Sequence, residues 1–299
     1  MLKLSEPAIN LTKQEFINLA YETYHKNLFE YSKILSGTGI SEIIIKSGEV
    51  WATCEDTGIK FKCSEGDKRI APIEAINFSG YETSLTQVLF NYASSSRTFV
   101  DVGANIGWYS LNLAQKFPTL KVYSYEPIKH TYDILIDNIV NASLENVQVQ
   151  NCGCSDEHRR DRFYFSPTGS GNASKALLDN PNDSIIVDVQ LVKLDDEIWF
   201  KENPIDLIKI DVEGAEKFVI EGALKLIKRD RPVLVVELLR KWSIQFGYHP
   251  QQVVDMLKKL KYLAFAIGED RNYEIDEIND DTQETNFLFV PCEKLINCD

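Results

Sequence analysis

The chain has 299 residues, 44% hydrophobic and 26% charged, enough for one large domain or two modest ones around a substantial core. Its 32 basic and 45 acidic residues leave a net charge of −13, which argues against a nucleic-acid scaffold, because phosphate contacts draw on clustered Lys and Arg. No apolar run approaches the roughly 20 residues of a membrane span, and the opening MLKLSEPAINLTKQEF lacks the continuous apolar segment of a signal peptide, so a cytoplasmic protein is expected.

Residues 11–36 predict a helix, with Leu11, Phe16, Leu19, Ala20, Leu28 and Ile34 at three- and four-residue steps. Thr12 and Glu15 form a candidate capping box at its start. ISEIIIKSGEVWATCEDTGIKFKCSEGD then reads as strands broken by Ser-Gly, Thr-Gly and Glu-Gly-Asp turns. YETSLTQVLFNYA returns to helix. Residues 1–95 are therefore expected to form an N-terminal α+β extension. The six cysteines, Cys54, Cys63, Cys152, Cys154, Cys292 and Cys298, fit no zinc spacing and are expected as free thiols. Cys54 and Cys63 are placed to face each other across a hairpin.

The rhythm changes at Phe99. TFVDV, KVYSYEP, VQVQNCGC, IDLIKIDVEG and PVLVVEL predict strands. GWYSLNLAQKF, KHTYDILIDNIVNA, EKFVIEGALKLIKRD and PQQVVDMLKKL predict the helices between or after them. SIIVDVQLVKLDDEI starts extended and turns helical, and HRRDRF (158–163) is expected as a solvated basic loop. YLAFAI and NFLFVP are late strands that can pair antiparallel at an edge. The alternation implies an α/β fold for 96–299: a doubly wound, mostly parallel, Rossmann-like sheet with right-handed crossovers.

Ligands of such sheets sit beyond the carboxyl ends of the strands, where the strand order reverses. FVDVGANIGWYSL places an acid, Asp101, and the small residues Gly103, Ala104 and Gly107 at one such end. A nearly bare backbone lets a ligand approach and aims the next helix N-terminus at it. The spacing is wrong for the G-x-G-x-x-G dinucleotide fingerprint. About 25 residues later Glu126 ends the next strand, where a carboxylate can accept from both hydroxyls of a ribose. An acid suited to a cationic amino-acid end, together with a ribose acid, points to S-adenosylmethionine. Asp101, Gly103, Ala104, Asn105, Gly107 and Glu126 are the candidate donor-binding residues.

In the same order the chain carries SYEP, NCGCSD, SGNASKAL, VKLDDEI, IDLIKIDVEGAEKFVIEGA and RPVLVVEL. With FVDVGANIGWYSL these motifs resemble the FkbM-type methyltransferases, over about 200 residues and most specifically at KIDVEGAE. The resemblance implies a class I methyltransferase sheet and an S-adenosylmethionine-dependent O-methyltransferase of glycan or natural-product tailoring, with S-adenosylhomocysteine as product. It also places Pro127, Cys154, Ser155 and Asp156 beside the adenine, and Asp211 between donor and acceptor.

IKIDVEGAE, read from its residues, is a strand ending at Asp211 with a turn at Gly214, and strand alternation sets Lys209 and Asp211 on one side. A sugar hydroxyl is a poor nucleophile near neutral pH and gains from a base. Asp211, Glu213, Glu237 and His249 are the candidates, with Lys209 beside them. Asp211, Glu213 and Glu237 also offer hard oxygens to Mg²⁺ or Ca²⁺, although Lys209 argues against a crowded cation site. The expected partner is a small-molecule or glycan acceptor. Natural-product tailoring, a nicotinamide-dependent oxidoreductase and a non-catalytic donor-binding module stand as alternatives.

Overall fold

The computed structural model describes residues 11–46, 48–169 and 185–295. The SGNASKAL motif lies outside them. The capping box at Thr12 forms, and the helix after it runs Lys13–Ala20, a π-helical turn Tyr21–His25, and Lys26–Ile34. An antiparallel sheet follows, β1 (Ile40–Lys46), β2 (Glu49–Cys54) and β3 (Lys60–Cys63). Cys63 faces Val50 rather than Cys54, because the Thr57-Gly58 turn sets the register, and both thiols are free. Two helices, Ala71–Phe78 and Thr83–Ala93, complete the segment.

The main sheet is built from β4 (Thr98–Val102), β5 (Lys121–Tyr125), β6 (Val147–Gln150), β10 (Leu207–Ile210), β11 (Val233–Glu237), β12 (Tyr262–Ile267), β13 (Asn272–Glu274) and β14 (Asn286–Pro291). A small side sheet holds β7 (Gly153–Cys154), β9 (Ile185–Val192) and β8 (Arg159–Phe165), in that spatial order. The main order is β13-β12-β14-β11-β10-β4-β5-β6, parallel from β11 to β6, with β14 antiparallel between β11 and β12. It is the expected doubly wound, mostly parallel sheet of the class I methyltransferase type. The strand order reverses between β4 and β10, where Asp101 pairs with Lys209 and Val102 with Ile210.

Strand alternation divides the core in two. Val100, Val102, Ile208, Ile210, Leu234 and Val236 point to one face, with Val219, Ile220 and Val253. Phe99, Leu207, Val233 and Val235 point to the other, against the helix Trp108–Lys116 and against Phe61, Ile70 and Leu89 of the N-terminal segment. Asp101, Lys209, Asp211 and Glu237 keep the parity of that second set. The N-terminal segment therefore lies on the face that carries the acids.

Three expectations change. VQVQNCGC divides into β6 and β7, in different sheets. Asn151 bends the chain by donating from Nδ2 to the Glu126 and Pro127 carbonyls. All of HRRDRF but His158 lies in β8, paired with β9, not in a loop. EKFVIEGALKLIKRD breaks into Glu216–Glu221 and Leu224–Asp230 at Gly222, whose Cβ would stand 1.9 Å from the Ser155 carbonyl oxygen. Asp195, in KLDDEI, reads as the cap of the helix it precedes but caps a distant one: its carboxylate accepts from the N–H groups of Lys225 and Leu226.

Candidate active site

The turn after β4 builds the floor of a cleft of about 1270 Å³, counting the space open to solvent at its mouth. Gly103 has φ 83° and a Cβ there would stand 1.8 Å from the Asp211 carbonyl oxygen, so only glycine lets the turns after β4 and β10 touch. The N–H groups of Gly103 and Ala104 both donate to the Tyr125 carbonyl, at 3.0 and 3.1 Å. Asn105 follows at φ 50° and lines the cleft. Gly107, at φ 88°, opens the helix Trp108–Lys116 and packs on Leu135 and Leu111 instead of facing the cleft.

Glu126 lies where the β5 end meets this turn and is 5% exposed. Its Oε2 accepts from the Asn105 N–H at 2.9 Å and its Oε1 from the Ile128 N–H at 2.8 Å. Burial pushes its pKa up to about 7, against the pull of those two N–H groups. Pro127, Gly153, Cys154, Phe163 and Leu191 give the adjoining wall an apolar slot. Ser155 and Asp156 stand outside it: Asp156 accepts from Ser155 and from Arg159, both at 3.0 Å, in a neighbouring groove. Asp101 lies beneath the floor, 1% exposed, its Oδ2 accepting from the Ser110 hydroxyl at 2.6 Å.

Acids crowd the far end. Lys209 Nζ donates to Asp211 Oδ2 at 2.9 Å and lies 4.9 Å from the centre of the Tyr109 ring. Burial works against the charge on Asp211, but Lys209 and a hydrogen bond from Glu237 outweigh it, so Asp211 titrates below the usual carboxylate range. Glu237 is driven well above that range by burial and by the charges of Asp211 and Glu213, and so holds the proton it shares with Asp211. Burial, Asp211 and Glu216 raise Glu213 likewise. Carboxylate oxygens of Asp211, Glu213 and Glu237 lie within 4.8 Å of one another. They are the set able to hold a hard cation, with the Lys209 ammonium already on one Asp211 oxygen. Glu216 is fully engaged elsewhere, accepting from Gly214 N–H at 2.8 Å and Tyr248 OH at 3.0 Å.

His249 does not join this group. It is exposed, away from the cleft, and its Nδ1 accepts from the Gln251 N–H at 3.2 Å. The residue before Pro250 is turned outward by the helix it starts. The segment GYETSL offers Glu82 as a helix cap or a wall closing the pocket and Tyr81 as a core aromatic, and no motif marks Arg69. All three line the cleft. Glu82 precedes the helix Thr83–Ala93 in a left-handed conformation, φ 41°, and makes no cap. Its carboxylate turns inward, accepting from the Tyr109 hydroxyl and, at 3.5 Å, from Asn286 Nδ2. Its unusual backbone was not readable from GYETSL.

The residues fit a nucleoside donor. Each Glu126 oxygen accepts one hydrogen bond and has capacity for another. Asn105 Oδ1 is buried at the cleft with no partner, an acceptor for a group a ligand would bring. The methyltransferase FkbM domain model matches residues 101–275. The chain belongs to the FkbM methyltransferase family. This FkbM protein is thus an S-adenosylmethionine-dependent methyltransferase. It is 30% identical over 192 residues to "Methyltransferase sdnD" of Sordaria araneosa, covering 50% of this chain and 74% of that one. It is 28% identical over 141 residues to "Methyltransferase 1" of Beauveria bassiana, covering 41% and 57%. Among solved structures, the FkbM methyltransferase of Methylobacillus flagellatus KT is 18% identical, with a TM-score of 0.42. The match covers 65% of this chain and 43% of that one, so the chain spans less than half of it. No helix among the described residues is long and apolar enough to cross a membrane.

Proposed function

We propose that the protein is an O-methyltransferase acting on a hydroxyl of a sugar, a glycan precursor or a glycosylated metabolite. The observation that carries this reading is the Lys209 ammonium on one Asp211 oxygen at 2.9 Å, with carboxylate oxygens of Glu213 and Glu237 within 4.8 Å, in the cleft that Glu126 also lines. The donor supplies a methyl group on a positively charged sulfur. Everything else falls to the chain. Glu126 and Asn105 orient the nucleoside, and the Pro127, Cys154 and Leu191 wall excludes water from its base. Asp211 accepts the hydrogen bond of the acceptor hydroxyl and takes its proton as the oxygen becomes nucleophilic. Lys209 keeps Asp211 ionised for that step and holds its carboxylate in place. Alignment is the larger contribution, on the order of 7–11 kcal/mol, with a base adding roughly 10²–10⁴-fold.

A label-transfer assay tests this. Protein and methyl-tritiated donor are offered methyl glycosides, amino sugars and glycosylated macrolides, and the product is treated with mild alkali. Alkali-stable label on a sugar oxygen is expected. Label on nitrogen, or label released by alkali as from a methyl ester, would refute oxygen ether formation. Label on the aglycone would turn the reading to natural-product tailoring. Calorimetry with S-adenosylhomocysteine beside NADH separates a methyltransferase from an oxidoreductase.

A further inference from the structure

A second groove, of about 1600 Å³ with the space open at its mouth, borders the cleft across Glu82, which lines both. The Glu82 carboxylate accepts from the Tyr109 hydroxyl on the cleft side and from Asn286 Nδ2 on the groove side. Asn286 is also the cross-strand partner of Glu237, β14 against β11. The groove therefore starts one strand spacing, about 5 Å, from the acids at the far end of the cleft. Phe78 and the first turn of the helix Thr83–Ala93 make one wall, and the β12–β13 turn with the chain entering β14 makes the other. Ser84 Oγ donates to the Glu269 carbonyl at 3.4 Å and ties the two together. Two exposed rings stand in this lining, Phe78 at 74% and Tyr273 at 40%. The Tyr273 hydroxyl donates to the Glu284 carboxylate, which fixes its ring. A Cβ on Gly268 would stand 3.8 Å from both side chains, so the bare backbone leaves that corner open.

We propose that, for the sugar-hydroxyl acceptor put forward above, this groove is a second acceptor subsite that takes the ring next to the methylated one in a neutral or amine-bearing glycan chain. Three properties select that occupant. The first is room. A pocket for one drug-sized ligand spans about 300–1,000 Å³. The cleft of about 1270 Å³ has both a nucleoside donor and the reacting ring to hold. Further rings have to leave it, and the groove adjoins the end where the acceptor reacts. The second is surface. A sugar ring offers C–H faces to aromatic side chains, and hydroxyls, each a donor and an acceptor, to polar ones. Tyr273 and Phe78 supply the first, and Ser84, Gln283, Glu284 and Asn286 the second. An acyl or polyketide chain would bury those polar groups unpartnered. The third is charge. Glu82, Glu269, Asp270 and Glu284 line the groove, with Arg271 as the one base among the described lining residues. That balance turns away phosphates, and with them sugar nucleotides, while it attracts an amine.

The label-transfer assay reads this with acceptors matched in the reacting sugar: methyl glycosides, the same sugars extended by one ring, and the phosphate esters of both. The two-ring acceptor should exceed the one-ring acceptor at least tenfold in kcat/KM, and each phosphate ester should fall at least tenfold below its neutral parent. Tyr273→Ala should bring the ratio of two rings to one close to unity, and Tyr273→Phe, which keeps the ring, should retain most of the advantage. Equal kcat/KM for both lengths, an advantage indifferent to Tyr273→Ala, or a preference for the phosphate esters would each overturn the subsite. Calorimetry with S-adenosylhomocysteine confirms that each variant is folded. If no sugar takes label, the O-methylation reading fails on its own, and binding decides the groove. Saturation-transfer NMR is then run on the complex with S-adenosylhomocysteine, with cellotriose, chitotriose and the glucosamine trimer as probes. Transfer that Tyr273→Ala abolishes is expected. No transfer, transfer unchanged by that substitution, or transfer only to a strand-forming hexapeptide at the β13 edge would overturn the subsite.

Discussion

Glu126 is held by two backbone N–H groups yet burial still leaves its pKa near 7. If the ionised form receives the ribose hydroxyls, binding lowers that pKa. Affinity for S-adenosylhomocysteine should then rise with pH up to about 7 and fall as pH drops below it. Calorimetry between pH 5.5 and 8 reads this slope, and Glu126→Gln should flatten it and weaken binding by about 1.5–3 kcal/mol. Asp211→Asn should leave donor affinity unchanged and lower turnover by roughly 10²–10⁴-fold. Glu82→Gln removes a charge from the far end alone, so donor affinity should hold within about twofold while acceptor kcat/KM falls more than tenfold. The turn that floors the cleft was legible because small residues and an acid at a strand end have few other uses. Asp101 was legible as an acid at that end, but not as a group beneath the floor, since depth depends on the Ser110 contact from the next helix. Glu82 was hidden by its backbone, which a sequence does not announce for a non-glycine residue.

At the scale of elements, alternation of strands and helices was readable from Phe99 onward because a buried parallel strand is a short apolar run with few substitutes. Boundaries were less so. The break at Gly222 depends on the Ser155 backbone pressing against it, a contact made by residues 67 positions away. Gly222→Ala should therefore cost about 1–3 kcal/mol, measured by chemical denaturation. An unchanged midpoint would show that this turn can retreat. The helix Ala71–Phe78, by contrast, carries a start signal in Pro72. β8 is hidden because its four charges, Arg159 to Arg162, are consecutive, and the period of two shows only in burial, where Arg160 and Arg162 are exposed and Arg159, Asp161, Phe163 and Phe165 are not.

For the whole molecule, buried carboxyls govern one property, Glu213 and Glu237 among them, both raised well above the usual range. Glu126 and Glu216 are both raised to about 7 by burial, from about 4.3–4.5 in an unfolded chain. The folded state therefore binds more protons than the unfolded state between those values. Stability of the ligand-free protein from these groups is full below about pH 4.5 and is lost as pH rises through 7. Melting temperature should fall across that window, and Glu216→Gln should reduce the slope.

The position of β14 bears on how the chain can fold during synthesis. It lies between β11 and β12, antiparallel to both, although it follows them in the chain. Those two strands cannot pair with each other first without closing the slot it needs. Expression of residues 101–275 alone would thus leave two unmatched strand edges and a missing Asn286. Such a fragment should aggregate, and in the longer chain the sheet should resist protease only once residue 291 has left the ribosome.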